Sequence, residues 1–578
     1  MKLLTTTGTF REQFENRYPI YQRIFSGLLT QIANLVEQHS WPVFAAITLW
    51  CGRSRLSGQL YRNLGHDELY TFYIAQAASI HKLLILSRTV DLHPPLTYLF
   101  ARFSMAIFGA SAWACRAPSA LAFVATTALI FSFLKRITSA LYGLIAVLFL
   151  WSFPYVYSAP VARPYSWILC FTALMLVGWY REAEEIGPHP IALLAVWLGG
   201  FGLLLSHVLG VLPFAAVVGA ELLRVRSTRK YDWLLCAALL TPFVSVISYI
   251  PLIKHQSALL FTPIYHVTAL RVLSVYWEPL RFVVTPVLLI VVLAVDHGSN
   301  RTEDARTDQR SPMANLPFAF LLLVLFLLPL AIAGIFARTG TAFFDRYGVV
   351  MLIPAAITPA LTLASAARRQ RSYAVIVALI MVVLIHLNSS GIAWLLQQSS
   401  IIAPSAVASR LLYIVAAPPL PEVLNLPVVP AYLEHQSAAA PVVSSLDAIE
   451  PNLALVAGTG LTFLELDGSQ DDRLAQRLVL LTDRVAASTI AHDTLFENYG
   501  ELKKVFPIRG DVQPYCFFLS NHQQFLVLGK YQHPQGWLLR KLEMDGAQLR
   551  IVARYPNTLE ERDIYEVTIS ANPCTMPQ

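Results

Sequence analysis

Two short runs of the chain gather side chains able to move protons. Gly65-His66-Asp67-Glu68 sets an imidazole beside two carboxylates, and Asp91-Leu92-His93-Pro94-Pro95 follows further along. A carboxylate can accept the proton of an attacking hydroxyl, a contribution of roughly 10²–10⁴-fold. An Asp/His pair near it, Asp91 and His93, could hold a divalent metal ion that neutralises a leaving phosphate, although the spacing demands none. Arg163 lies close to Tyr165 and Arg346 precedes Tyr347. Guanidinium groups there can bind phosphate with paired, charge-assisted hydrogen bonds. Each of these features also has a structural reading. Asp67 and Glu68 could cap a helix, Asp91 and His93 could belong to a turn before the double proline, and the arginines could snorkel to a membrane interface. His207, Lys254, His255 and His266 are further lining candidates.

The elements that must position these groups follow from composition. The chain has 578 residues, of which 56% are hydrophobic and only 14% charged, with formal net charge +7. Soluble domains carry about 25% charged residues, so this is a membrane protein. Six cysteines cannot staple a chain of this length. Residues 1–409 carry 30 basic and 17 acidic side chains, whereas residues 410–578 carry 13 and 19. A membrane domain at 32–400 is therefore expected, after an N-terminal segment at 1–31 and before a soluble domain at 401–578.

A helix needs about 20 apolar residues to cross the hydrocarbon core. Eleven such candidates are expected at 32–52, 117–134, 139–160, 164–180, 190–206, 208–223, 233–253, 279–295, 316–336, 347–367 and 373–396. Cytoplasmic loops collect Lys and Arg, and an N-terminus inside puts Lys135-Arg136, Arg181, the Arg224 to Lys230 cluster and Arg368/Arg369/Arg371 on one side. The same topology puts a long first loop (about 53–116), Ala159 to Pro164, Lys254 to Glu278, Arg338 to Arg346 and the tail outside. Residues 94–115 are expected along the outer surface, because they contain Arg102. Leu69 to Leu84 is expected to form an amphipathic interfacial helix with Asp67 at its start. Glu37, His39 and His386 are the mid-span ionisable candidates, and no internal repeat is evident, which argues against a carrier.

At this point the motifs resemble a family. Asp67-Glu68, Asp91-Leu92-His93-Pro94-Pro95-Leu96, Arg116-Ala117-Pro118-Ser119-Ala120-Leu121, Ala162-Arg163-Pro164-Tyr165 and Arg346-Tyr347 look like the GT-C superfamily of polytopic glycosyltransferases. The protein O-mannosyltransferases, lipid A aminoarabinose transferases and lipopolysaccharide galacturonosyltransferases are similar. The resemblance covers roughly residues 32–400. It implies a GT-C fold and an inverting transferase of the bacterial cytoplasmic membrane. The implied donor is a polyprenyl-phosphate-linked sugar; the acceptor is an unidentified lipid, glycan or protein. Carried over, Asp67 is the catalytic base or a metal ligand, with Glu68 assisting. Arg163 and Arg346 hold the donor phosphate, Asp91 and His93 bind substrate or metal, and Tyr165, His207 and Tyr347 support them. Relatives often have Glu before Ala-Arg-Pro-Tyr, and here Val161 stands there. Another carboxylate, such as Asp91, Glu278 or Asp345, could compensate, or the chain could be an inactive scaffold. A transporter of lipid-linked substrates is the other alternative.

The tail is expected to be a small α/β domain entered through the Pro418 to Pro430 linker. Strands are expected at Pro441 to Leu446, Leu453 to Ala457, Leu478 to Thr482 and Phe525 to Gly529. Helices are expected at 459–466, 493–505 and 514–522. Trp537 to Leu542 and Gln548 to Ala553 read as a hairpin turning at Asp545-Gly546. Gly458-Thr459-Gly460 lacks the third glycine of a dinucleotide fingerprint and reads as a tight turn, so no nucleotide cofactor is expected. The acidic tail suits no nucleic acid. Asp493, Glu497 and Glu501 read as a solvated helical stripe, and Cys516 and Cys574 could pair if the domain is exported.

Overall fold

A computed structural model describes residues 26–62, 64–91, 93–184, 189–256, 267–277, 315–340, 343–366, 371–389, 452–468, 472–533, 535–555, 562–570 and 574. The candidate span at 279–295, the linker, the strand at Pro441 to Leu446, and Glu278 and His266 lie outside the described residues.

The chain enters through helices α1 (26–38) and α2 (Ser40–Arg55), which meet at His39. Three helices of the first loop follow: α3 (His66–Ala75), α4 (Ile80–Thr89) and α5 (Leu96–Phe108). The apolar bundle comprises α6 (Ala112–Ile137), α7 (Ala140–Ser152), α8 (Tyr165–Glu184), α9 (Pro190–Ser206), α10 (Val211–Thr228), α11 (Trp233–Leu240), α12 (Tyr249–Gln256), α13 (269–277), α14 (Leu316–Thr339), α15 (Leu352–Ala366) and α16 (Arg371–Ser389). Among the described residues, five helical runs are long and apolar enough to cross a membrane: Ala112–Ile137, Val208–Thr228, Trp233–Leu252, Leu316–Thr339 and Arg346–Ser365. Shorter apolar helices, including Ala140–Ser152 and Pro190–Ser206, accompany them. The expected span at 139–160 stops as an α-helix at Ser152 and tightens into a 3₁₀ turn over Pro154–Tyr157, because proline cannot continue the backbone ladder. Pro242 likewise opens a 3₁₀ segment, Thr241–Ser248, between α11 and α12.

Glu37 is a helix cap. Its carboxylate accepts the backbone N–H groups of Ala140 (3.0 Å) and Leu141 (3.2 Å), two of the donors that the start of α7 leaves without intrahelical partners. Lys135 Nζ reaches Ser40 Oγ at 2.7 Å, tying the end of α6 to the start of α2.

The first loop departs from the expected single interfacial helix. α3 ends at Ala75, and Arg102 donates to the carbonyls of Ala75 (3.1 Å) and Ala77 (2.5 Å), satisfying its end. Ser79 then caps α4 by accepting the N–H of Lys82 at 3.1 Å. The apolar face is not spent on lipid. Leu69, Tyr73, Ile74, Leu83 and Leu86 are buried in one cluster with Leu455, Phe463, Leu464, Leu478, Leu526 and Phe506 of the tail.

The tail is an α/β domain around a six-stranded sheet ordered β3-β2-β1-β4-β6-β5. Its strands are β1 (Leu455–Ala457), β2 (Leu478–Thr482), β3 (Asp511–Pro514), β4 (Gln524–Gly529), β5 (Gln548–Tyr555) and β6 (Arg562–Thr568). β1 to β4 are parallel, and β6 runs antiparallel to β4 and β5. Alternation of side chains divides the sheet. Leu455, Ala457, Leu478, Leu480, Leu526 and Leu528 face the first loop, while Val456, Val479, Leu481, Phe525 and Val527 pack on the helices Tyr515–Asn521 and Leu538–Met544.

The expected strand at Trp537 to Leu542 is instead the helix Leu538–Met544, because Leu538, Leu539 and Leu542 recur at helical spacing. The true antiparallel partner of β5 is β6, which lies later in the chain. The expected helix at 493–505 shrinks to Tyr499–Lys503. Asp493 is buried and accepts Gln535 Nε2 at 2.9 Å, and Glu497 accepts the indole N–H of Trp537 at 3.0 Å, so neither belongs to a solvated stripe. Cys516 and Cys574 form a disulfide.

Candidate active site

Gly65 is extended and α3 starts at His66, so the helix presents Asp67 and Glu68 in its first turn. Adjacent positions on a helix point about 100° apart, and the two carboxylates meet different partners. Glu68 turns inward. Its Oε1 accepts Arg116 Nε (2.7 Å) and the N–H of Ala162 (2.9 Å). Its Oε2 accepts an Arg116 Nη (2.5 Å) and the N–H of Gly65 (3.1 Å). Arg116 also donates to the carbonyls of Gln59 (2.8 Å) and Arg62 (2.5 Å). Burial opposes ionisation of Glu68, but Arg116 and the two backbone donors outweigh it and lower the carboxyl below its ordinary range. With four donors on it and 1% of it exposed, Glu68 joins α3, α6 and the segment before α8 as a strut.

Asp67 turns outward and is 35% exposed. Its Oδ2 pairs with an Arg346 Nη at 3.0 Å, and its Oδ1 lies 3.5 Å from His66 Nδ1. Burial would raise this carboxyl, yet Arg346, His66 and Arg163 overcome that and hold it well below the usual carboxylate range. Arg346 stands in the 3₁₀ turn Asp345–Met351, its guanidinium 4.3 Å from the Phe344 ring centroid and 5.5 Å from that of Tyr165.

Arg163 is 5% exposed and committed. One Nη donates to Asp91 Oδ2 (2.5 Å) and to the carbonyl of Asp67 (3.1 Å), and the other reaches Asp91 Oδ1 at 3.3 Å. Asp91 also accepts the Tyr98 hydroxyl at 2.6 Å. His93 Nδ1 lies 2.5 Å from the carbonyl of Asp91, and Nε2 lies 3.4 Å from Arg163. Burial, reinforced by Arg163, lowers the His93 imidazole below its ordinary value. The oxygens of Asp91 and both ring nitrogens of His93 are thus spent on protein donors and acceptors. The set does not suit a metal ion, and among the described residues no three His, Cys, Asp or Glu side chains converge as metal ligands. Arg163 clamps Asp91 and the Asp67 backbone.

His207, Tyr165 and Tyr347 complete the surround. The His207 ring lies 4.9 Å from that of His93 and 5.9 Å from that of Tyr165, and Tyr347 lies 6.1 Å from Tyr165. Beside Arg346 and Tyr347 a narrow apolar cleft is lined by Ile168, Leu209, Pro213, Leu328 and Ile332. At the missing glutamate, Val161 is buried, and the carboxylate that meets the Ala162 backbone is Glu68.

Sequence reasoning missed Arg116 as the partner of Glu68 and Tyr499 as a neighbour of the site. Arg116 was legible as the first residue of a family motif. Tyr499, whose hydroxyl lies 3.1 Å from His66 Nε2, carries no sequence signal.

Residues 92–249 match the profile of a family described as dolichyl-phosphate-mannose-protein mannosyltransferase. The apo crystal structure of ArnT from Cupriavidus metallidurans superposes with TM-score 0.51 at 16% identity, covering 94% of this chain and 100% of that one. The same ArnT bound to undecaprenyl phosphate gives TM-score 0.49 at 16% identity, covering 93% and 100%. The oligosaccharyltransferase of Archaeoglobus fulgidus gives 0.40 at 11% identity, covering 84% of this chain and 67% of that one. No curated protein matches significantly. The family match is to residues 92–249, and the likeness to apo ArnT is one of fold.

Proposed function

We propose that this chain is an inverting membrane glycosyltransferase that moves a sugar from a polyprenyl phosphate to a lipid, glycan or protein hydroxyl on the outer face of the bacterial cytoplasmic membrane, with its N-terminus inside and its tail outside. The observation that carries the reading is the partly exposed Asp67 paired with Arg346, an arginine that also lines a narrow, largely apolar cleft. The arginine of that pair suits a phosphate, and the apolar side chains beside it suit the isoprenoid chain attached to that phosphate. ArnT of Cupriavidus metallidurans, whose apo fold is similar, is a protein that binds undecaprenyl phosphate.

In the resting pair Asp67 is too weakly basic to be a good proton acceptor, since base strength falls with pKa. A donor phosphate competes with Asp67 for Arg346, and the loss of that positive partner raises the basicity of the carboxylate. Donor binding therefore arms the base. The acceptor oxygen then bonds to the anomeric carbon from the face opposite the phosphate, the carbon–oxygen bond to phosphate breaks, and Asp67 takes the hydroxyl proton. Polyprenyl phosphate leaves, its growing charge stabilised by Arg346. Arg163 holds the Asp67 backbone in place, and Tyr165, Tyr347 and His207 wall the site.

The test is sugar transfer in membranes from cells lacking the gene, complemented with wild type or Asp67→Asn at equal protein level. Mass spectrometry of envelope lipids, glycans and proteins should find a sugar-sized mass gain with wild type that Asp67→Asn loses. Identical profiles from both would remove Asp67 from the chemistry and favour a non-catalytic scaffold.

A further inference from the structure

Among the described residues, Tyr499 of the tail hydrogen-bonds to side chains beside Asp67. Tyr499 begins the short helix Tyr499–Lys503 and is 1% exposed. Its hydroxyl lies 3.1 Å from His66 Nε2 and 3.2 Å from the Tyr70 hydroxyl. His66 Nδ1 in turn faces Asp67 Oδ1 at 3.5 Å. The placement is enforced by packing: Phe496 stands edge-on to His66, with 6.4 Å between ring centroids, and lies so close to Gly460 that a Cβ there would sit 2.4 Å from Phe496 Cδ1. On the other side Leu69 abuts Gly468, where a Cβ would sit 2.8 Å from Leu69 Cδ2.

The Nε2 that meets Tyr499 and the Nδ1 that faces Asp67 lie on opposite sides of the ring, so the contact to Tyr499, itself held by the Tyr70 hydroxyl, fixes the orientation in which Nδ1 meets the carboxylate. We infer that Tyr499 of the tail is a positioning residue for the transfer reaction, fixing the His66 rotamer that orients the Asp67 carboxylate, so that the external domain completes the active site. The inference rests on the reading of Asp67 as the base. Without the Tyr499 hydroxyl, the buried Nε2 loses its partner, and the ring orientation that brings Nδ1 to the carboxylate is no longer held from its far side.

The experiment compares initial rates of the mass gain in membranes for wild type, Tyr499→Phe, His66→Gln, His66→Asn and the double variant His66→Asn/Tyr499→Phe, with Asp67→Asn as reference. Phenylalanine keeps the ring and its packing. Glutamine places an amide near the Nε2 position only, and asparagine places an N–H near the Nδ1 position with no far-side atom for Tyr499 to hold. Tyr499→Phe and His66→Gln should each lose about tenfold, the worth of a hydrogen bond to a charged group. His66→Asn/Tyr499→Phe should run faster than Tyr499→Phe alone, a rescue that a purely structural role would not give. A wild-type rate from Tyr499→Phe, or a double variant no faster than Tyr499→Phe, overturns the positioning role while leaving the transferase reading intact. Full activity in Asp67→Asn overturns that reading itself.

Discussion

Two carboxylate–arginine pairs start one residue apart on α3 and come to opposite ends. The inner pair, Glu68 with Arg116, is buried, saturated with four donors, and joins the first loop to α6 and the approach to α8. The outer pair, Asp67 with Arg346, has one carboxylate oxygen on the arginine, a long contact to His66, and over a third of its carboxylate side chain in the open. Chemistry needs a group whose partners can change during the reaction, and only the outer pair has that freedom. The inner pair supplies the rigidity that keeps the outer one in register. Buried ion pairs are costly to break because the surviving charge has no water to turn to.

The sharpest way to separate the pairs is to neutralise each acid in turn. Asp67→Asn should cost roughly 10²–10⁴-fold in transfer rate and leave the melting temperature of the detergent-solubilised protein nearly unchanged. Rate loss accompanied by unfolding would erase the distinction drawn between the pairs.

Glu68→Gln should do the reverse, destabilising the protein by about 3–5 kcal/mol by stranding Arg116, as read by thermal melts and recovery from membranes. The pH dependence has a definite sign. The folded Glu68 carboxyl is lowered relative to the unfolded chain, so its contribution is fully present above the unfolded value of about 4.3 and is lost as pH falls through the lower folded value. The difference between wild type and Glu68→Gln should therefore be constant from pH 5 to 8 on this account and shrink only in stronger acid.

Arg346→Lys keeps the charge but loses the planar fork, and the transfer rate should fall about 10-fold to 100-fold with a small change in stability. A lysine variant as fast as wild type would mean that charge alone is needed at the outer pair.

The smallest expected effect concerns an acid in neither pair. Burial pushes Glu497 up to about 7, above the unfolded value near 4.3. The unfolded chain releases that proton first, so the tail loses stability as pH rises from about 4 to 7. Glu497→Gln should remove the loss, raising stability by about 1–2 kcal/mol at pH 8 and by nothing at pH 4, measured by melts of the full chain at the two pH values.

Much of this was legible in advance, and for local reasons. Strands β1, β2 and β4 and the helices at 460–467 and 515–521 follow apolar runs bounded by turn residues, as expected. The misassigned Trp537 to Leu542 shows the limit: three leucines at 538, 539 and 542 fit a short helix, and a following Asp-Gly drew the segment into a hairpin. At the site, the sequence marked Asp67, Asp91, His93, Arg163, Arg346, Tyr165, His207 and Tyr347, and the fold brings all of them together. It did not distinguish their roles. Arg163 and Arg346 have the same side chain beside the same kind of neighbour, yet one is locked by Asp91 and the other pairs with the partly exposed Asp67 beside a narrow apolar cleft.

The sequence by itself determined that this is a membrane protein with an acidic α/β tail and a cluster of acids, histidines and arginines near the ends of its apolar helices, because composition and short-range periodicity set solubility and local structure. The tertiary structure alone decided which carboxylate is a strut and which is open, and that a tyrosine 433 positions beyond His66 reaches it. Those outcomes depend on how separate helices cross and which atoms then compete for the same lone pairs, and contacts between distant segments leave no pattern in either segment alone.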